Sequence, residues 1–194
     1  MFSIKSIVKF ILNLKKDLDF LNDIKKINKF SSKNKNSIDP VTILDLKVEK
    51  LIRSKIIKNF PTHSIIGEEL NDKINNSDYK WVLDPIDGTK NLIMGLPTWS
   101  NLIGLYKGKN SILSFANFPI LRKYYIAYNN KTFVNQKDFN KRIYSNKKAN
   151  YKNAKVVINT FHTIKVKKIF KFLKRYKGFY KITGSDAYNF CSIA

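Results

Sequence analysis

Trp81-Val-Leu-Asp-Pro-Ile-Asp-Gly-Thr-Lys-Asn91 decides how the rest of this chain is read. Trp81, Val82 and Leu83 favour a buried strand, because β-branched and aromatic side chains suit a pleated surface. The spacing places Asp84 and Asp87 just past the end of that strand. Pro85 fixes the turn between them, and Gly88 lets backbone approach a ligand closely. Two carboxylates three apart on a rigid turn suit a hard cation, since Mg²⁺ takes oxygen ligands and completes its shell from water and phosphate. The Ile86 carbonyl, between them, offers a further oxygen. Gly88 and Thr89 then open a short helix, whose N–H groups and positive dipole end favour a phosphate. Asp-Pro and Asp-Gly taken singly are ordinary turn dipeptides. The ordered combination carries the reading.

With 194 residues, 43% of them hydrophobic, the chain has enough apolar side chains for one sizeable core and one structural unit. Cys191 is the single cysteine, which excludes an internal disulfide and fits a reducing cytoplasm. The first twenty residues carry Lys5, Lys9, Lys15 and Lys16 through their apolar run and lack a small-residue cleavage site, so they do not read as a secretory signal. The longest uncharged stretch, Asn91 to Tyr106, contains Gly95 and Pro97 and is too short and too broken to span a membrane. A net charge of +23 points first to nucleic acid or an anionic surface. Yet only Arg53, Arg122, Arg142 and Arg175 are arginine among 37 basic residues, and lysine lacks the planar fork that reads phosphates and bases. The charge therefore reads as a solvated lysine surface, with a sequence-independent nucleic-acid binder as the competing class. The same field draws an anionic phosphate ester inward.

Upstream of the central stretch, residues 2 to about 29 show apolar residues at helical spacing (Ile4, Val8, Ile11, Leu14, Leu18, Leu21), which predicts one amphipathic helix. Ser31 to Ser37 is a polar loop. A helix is expected from about Leu44 to Asn59, with Val48, Leu51, Ile52 and Ile56 on one side and Asp45 in its first turn, where a carboxylate is favoured. By local chemistry alone Asp45 is a capping residue. Ser64 to Ile66 reads as a short strand, and Gly67 turns the chain so that Glu68 and Glu69 protrude. Adjacent residues in extended chain point opposite ways, so one of the two faces Asp84 and Asp87. His63 reads as a surface or helix-end residue.

Downstream, Thr98–Tyr106, Ser111–Phe118, Lys123–Tyr128 and Thr132–Asn135 are dense in β-branched and aromatic residues, with Lys107-Gly-Lys-Asn, Pro119 and Asn129-Asn130 between them. An antiparallel sheet is expected, with Trp99, Phe115 and Tyr125 in its packing. Phe139 to Ser185 holds fourteen basic residues and no acidic one. A strand at Ala154–Ile158, a helix at Thr163–Tyr176 with Val166, Ile169, Phe170 and Leu173 inward, and a strand at Phe179–Thr183 form a βαβ pattern. Gly184-Ser185 then starts a last helix, where Asp186 is a cap or a substrate contact.

Asp84-Pro-Ile-Asp-Gly-Thr89 resembles the signature of the inositol monophosphatase family, Mg²⁺-dependent and lithium-sensitive phosphomonoesterases. Lys90 to Leu105, with its Gly95-x-Pro97 segment, is most similar to the histidinol-phosphate phosphatase branch, as is Gly184-Ser-Asp186. The resemblance implies an α+β fold, a layered αβαβα sandwich in which an antiparallel sheet carries flanking helices. Residues 1–140 would form its N-terminal metal-binding part and 141–194 the start of an incomplete second α/β layer. It implies metal ligands in Glu68, Asp84, Asp87 and the Ile86 carbonyl, with Glu69 as the alternative to Glu68. Thr89 paired with Asp45, from Val41-Thr-x-x-Asp45, would be catalytic. Asp87, Gly88, Thr89 and Asp186 would meet the phosphate and substrate.

The implied activity is hydrolysis of a small phosphate monoester, histidinol phosphate first and inositol-1-phosphate or a related sugar phosphate as the alternative. Two or three Mg²⁺ per intact site, inhibition by Li⁺, a homodimer for a full-length member and a cytoplasmic location, away from membrane and nucleic acid, go with it. The family's further C-terminal portion, with a Trp/Tyr-Asp motif whose aspartate ligates a second metal, has no counterpart in these residues. Two readings stay open: an incomplete record of an active enzyme, or a shortened protein with an impaired site.

Overall fold

In the computed structural model, residues 3–23, 43–136, 139–145, 154–159 and 166–193 are described. Helix α1 (Ile4–Asp17) starts where the Ser3 hydroxyl accepts the Ser6 N–H at 3.1 Å, and it buries Ile7, Ile11 and Leu14. It is shorter than its periodicity suggests. At Leu18 the N–H is shared between the Leu14 and Lys15 carbonyls, both at 3.1 Å, and a 3₁₀ turn follows over Asp19–Asn22. The tighter turn brings residues three apart into line, and Leu18 and Leu21 are both fully buried. Packing has overruled the α-helical repeat here. The rest of the expected helix, the Ser31–Ser37 loop and Val41 lie outside the described residues.

Helix α2 (Ile43–Asn59) packs Leu44, Val48, Ile52 and Ile56 onto the sheet, as the spacing predicted, while Leu51 is half-buried. Among the described residues the sheet has seven strands in sequence order: β1 (Ser64–Gly67), β2 (Tyr79–Asp87), β3 (Ser100–Lys107), β4 (Asn110–Phe118), β5 (Lys123–Tyr128), β6 (Lys131–Gln136) and β7 (Phe139–Ile143). The β1–β2 pair is parallel and every later pair is antiparallel, so the sheet is mixed. Two-residue turns join β3 to β4 and β5 to β6 where expected, and four residues from Pro119 to Arg122 join β4 to β5. Asn129 and Asn130 both have positive φ, 50° and 55°, the mirror-image turn that follows the strand twist. Strand β7 has no clear signal in Phe-Asn-Lys-Arg-Ile, since a strand with three consecutive polar residues at its centre is specified mainly by its backbone partner.

Strand β2 corrects the expectation that Asp84 and Asp87 lie beyond the strand. Pairing continues to Asp87, with Asp84 opposite Leu102 and Asp87 opposite Ser100, so β2 carries one residue more than β3 between these rungs. That is a β-bulge. Pro85 cannot donate to the ladder, and its carbonyl instead accepts the Asn101 side-chain amide at 2.7 Å; Asn117 braces Asn101 at 2.9 Å. In a regular strand residues three apart face opposite sides. The bulge reverses the alternation: Trp81 and Leu83 point into the main core, and so does Ile86. Asp84 and Asp87 are thereby turned to the other face together.

His63 is buried, against expectation. Its ring stacks between Phe60, 5.0 Å away, and Tyr79, 4.8 Å away, and Nδ1 accepts the Trp81 indole N–H at 3.1 Å. Burial pushes its pKa down, so the neutral ring is favoured.

Helix α3 (Thr89–Ile93) follows β2. Strand β8 (Val156–Ile158) pairs in parallel with β9 (Tyr180–Ile182), with helix α4 (Val166–Arg175) between them in sequence. Ile169 and Leu173 of α4 are buried, but Phe170 is 57% exposed and does not join them. It falls just off the narrow stripe that Ile169 and Leu173 define. The side chain of Val166 is outside the described residues. Helix α5 (Asp186–Ser192) sits on the sheet face opposite α1 and α2, with Ala187 against Phe118 and Tyr125. Among the described residues no helix is long and apolar enough to cross a membrane.

Candidate metal and phosphate site

Four segments meet around the bulge: the end of β1, the start of α2, the β2–α3 turn and the start of α5. Asp45, in the first turn of α2, is 2% exposed, and its Oδ1 lies 3.3 Å from the Thr89 hydroxyl. The same hydroxyl lies 3.0 Å from the Ile86 carbonyl. One O–H has one hydrogen to donate, so the two acceptors share it, and the oxygen's lone pairs stay available to accept. Gly88 holds the turn at φ +82°, and a Cβ there would come within 3.2 Å of Ser185 Cβ. Only glycine meets both demands comfortably.

Asp84 is the most perturbed group. Burial above all, then the charge and a hydrogen bond of Glu68, then the charge of Asp87, push its carboxyl up to about 9. Its Oδ1 is buried with no hydrogen-bond partner among the described residues. Asp84 also lines an apolar cavity of about 450 Å³ beneath α5, with Val82, Leu102, Ala187 and Phe190. Asp87 is also raised, by burial, while its Oδ2 takes three donors: the Ser185 hydroxyl, the Ala187 N–H at 3.3 Å and the Ser100 hydroxyl at 3.4 Å. Sequence reading did not single out Ser185 or Ser100 as partners of Asp87. Asp186 is exposed and lines a separate cavity of about 460 Å³ with Lys155, Asn159 and Asn189, although its charge is felt at Asp87.

A hard divalent cation fits part of this set. An orphaned carboxylate oxygen buried beside a second carboxylate lacks a positive partner, and oxygen-only donors match Mg²⁺ or Ca²⁺. Glu68 and Asp84 are the pair that meets this description. Among the described residues no three Asp, Glu, His or Cys side chains converge as a ready metal cluster. Asp87 has one oxygen committed to the α5 segment.

The profile described as the inositol monophosphatase family matches residues 4–194. The chain belongs to this family. Within it, the bifunctional phosphatase IMPL2 of Arabidopsis thaliana is 44% identical over 118 residues, 59% of this chain and 34% of that protein. A histidinol-phosphatase of Chlorobaculum parvum is 36% identical over 94 residues, 48% of this chain and 36% of its own length. The matched region thus spans about a third of these curated relatives. The inositol monophosphatase family fold is shared with the Thermotoga maritima IMPase, at TM-score 0.81 and 24% identity, over 97% of this chain and 72% of that one. The α+β fold with flanking helices expected from the signature is therefore the one observed, but its sheet is mixed rather than antiparallel throughout, because β1 pairs with β2 in parallel.

Two polar residues on α2 escaped the sequence reading. Glu49 and Arg53 are buried, 0% and 8% exposed, and follow Asp45 at steps of four. That spacing, on a helix whose other buried residues are apolar, was the available signal.

Proposed function

We propose that this chain forms the metal- and phosphate-binding part of a Mg²⁺-dependent phosphomonoesterase, with histidinol phosphate as substrate. The observation that carries the proposal is the buried, unpartnered Asp84 Oδ1 beside Glu68. Glu68, Asp84, the Ile86 carbonyl and the remaining oxygen of Asp87 would hold the metal. A bound Mg²⁺ would neutralise phosphate charge and lower the pKa of a nearby water. Thr89, its proton shared by Asp45 and Ile86, would accept a hydrogen bond from the attacking water and so orient it. Gly88 would admit the phosphate to the turn.

Histidinol phosphate is favoured over inositol-1-phosphate by the Gly95-x-Pro97 and Gly184-Ser-Asp186 segments and by the named activity of the Chlorobaculum relative. The lysine-rich surface would raise the local concentration of either ester. Li⁺ inhibition, a homodimer and a cytoplasmic location belong to the same proposal.

Calorimetric Mg²⁺ titration, with phosphate release from histidinol phosphate and inositol-1-phosphate, tests it. Binding is expected in the parent and loss of binding in Asp84→Asn. Any phosphate release should need Mg²⁺ and favour histidinol phosphate. Equal Mg²⁺ binding or equal turnover by Asp84→Asn and the parent removes the mechanism. Release from inositol-1-phosphate alone transfers the chain to the other branch.

A further inference from the structure

Glu49 and Arg53 form a buried ion pair on α2, with Arg53 Nε 2.7 Å from Glu49 Oε1. Among the described residues their other side-chain hydrogen bonds run to the loop that follows β1. Glu49 Oε2 accepts the Glu69 N–H at 2.8 Å, while Arg53 Nη2 and Nη1 donate to the carbonyls of Leu70, at 2.9 Å, and Asn71, at 3.0 Å. Three successive residues are thus held by their main chain. The pair also fills the space beside Gly67, where a Cβ would lie 1.9 Å from Glu49 Oε1.

Val48, Ile52 and Ile56, all fully buried, flank the pair on α2. Burying two charges costs desolvation that their attraction at best roughly offsets, so an apolar replacement would serve stability as well. What an apolar replacement could not do is hold three peptide groups. The loop they hold begins with Glu68, whose carboxyl stands beside Asp84. Glu68 follows Gly67 at the end of β1, so its carboxyl is placed by the course of the 67–71 backbone. Asp45, one turn earlier on α2, reaches Thr89, so one helix positions both ends of the site.

We propose that the Glu49–Arg53 pair is a positioning device for Glu68, fixing the 69–71 backbone so that the Glu68 carboxyl is set beside Asp84 before a cation arrives. This rests on the reading of Glu68 as a metal ligand given above.

Two conservative variants of the full chain test it. Glu49→Gln keeps size and shape but offers one acceptor oxygen where the carboxylate uses two, so it releases either Arg53 or the Glu69 N–H. Arg53→Lys keeps the charge and loses the fork that spans two carbonyls. Calorimetry with Mg²⁺ alone is expected to give about tenfold weaker binding in both, the usual scale for residues supporting a ligand. Hydrogen exchange at the Glu69 amide of the metal-free protein should quicken about tenfold, with β3 to β5 amides unchanged. A merely structural pair would lower the unfolding temperature and leave Mg²⁺ affinity at the parental value, and that result overturns the proposal. Glu68→Gln separates the two readings. If it leaves Mg²⁺ affinity unchanged, the ligand reading and the positioning role both fall. If it weakens binding while Glu49→Gln and Arg53→Lys do not, only the positioning role falls. Should Arg53→Lys fail to fold, the isosteric Glu49→Gln carries both measurements.

Discussion

The Ser185 hydroxyl donates to Asp87 Oδ2, joining residues 98 apart in the chain. The same oxygen of Ser185 accepts the Tyr188 N–H at 3.1 Å, so one side chain both caps α5 and ties it to the bulged strand. Ser185→Ala removes both functions and should cost about 2 kcal/mol, the sum of a typical cap and a hydrogen bond to a carboxyl. Ser185→Thr should restore most of it. Urea denaturation measures the difference, and an alanine variant as stable as the parent would show that the tie is incidental.

Asp84 makes the metal-free protein sensitive to alkali. Its folded carboxyl is pushed up to about 9, mainly by burial, whereas an unfolded aspartate titrates near 4. Between those values the folded protein keeps a proton that the unfolded chain has lost, so this contribution to stability fades as pH rises toward 9. Mg²⁺ must displace that proton, so its affinity should climb over the same window. Thermal unfolding from pH 5 to pH 9 is expected to show a steeper fall in the parent than in Asp84→Asn. Parallel profiles would refute the assignment.

His63 works in the opposite sense. Burial lowers its pKa from 6.5, so as pH falls below that value the unfolded chain gains a proton that the folded ring resists, and stability is lost. His63→Phe should flatten the profile between pH 7 and 5. At pH 8 it should cost about 1–3 kcal/mol, because the buried Trp81 N–H loses its acceptor. An unchanged acid limb would place the proton-sensitive group elsewhere.

Gly88 and Gly108 both have positive φ, 82° and 55°, but only Gly88 faces a neighbour. Alanine at either position should cost about 1–2 kcal/mol for the left-handed backbone. Gly88→Ala should cost more, because the added methyl meets Ser185 Cβ at 3.2 Å. Equal losses in paired denaturation curves would mean that the α5 segment yields without penalty.

Much of this was legible in short stretches. The hairpin turns, the core-facing residues of α2 and the parallel β8–β9 pair follow from periods of 2 and 3.6 and from turn residues, which act over a few positions. The Asp84–Thr89 run pointed to the family without any fold. Features that depend on a distant partner were not legible. Phe170 carries the right chemistry for a core and is exposed, and His63 carries the chemistry of a surface and is buried between two rings.

The amino-acid order alone settles which oxygens are available and that Gly88 can take a left-handed turn, because these are properties of a side chain and its immediate neighbours. It does not settle that Asp84 and Asp87 share a face. That follows from the bulge, which Asn101 and Asn117 support from β3 and β4. Nor does it settle that Ser185 engages Asp87, or that Glu49 and Arg53 hold the loop of Glu68. Those contacts join residues from 16 to 98 positions apart. Only packing can choose among partners at such separations, because local periodicity carries no information about them.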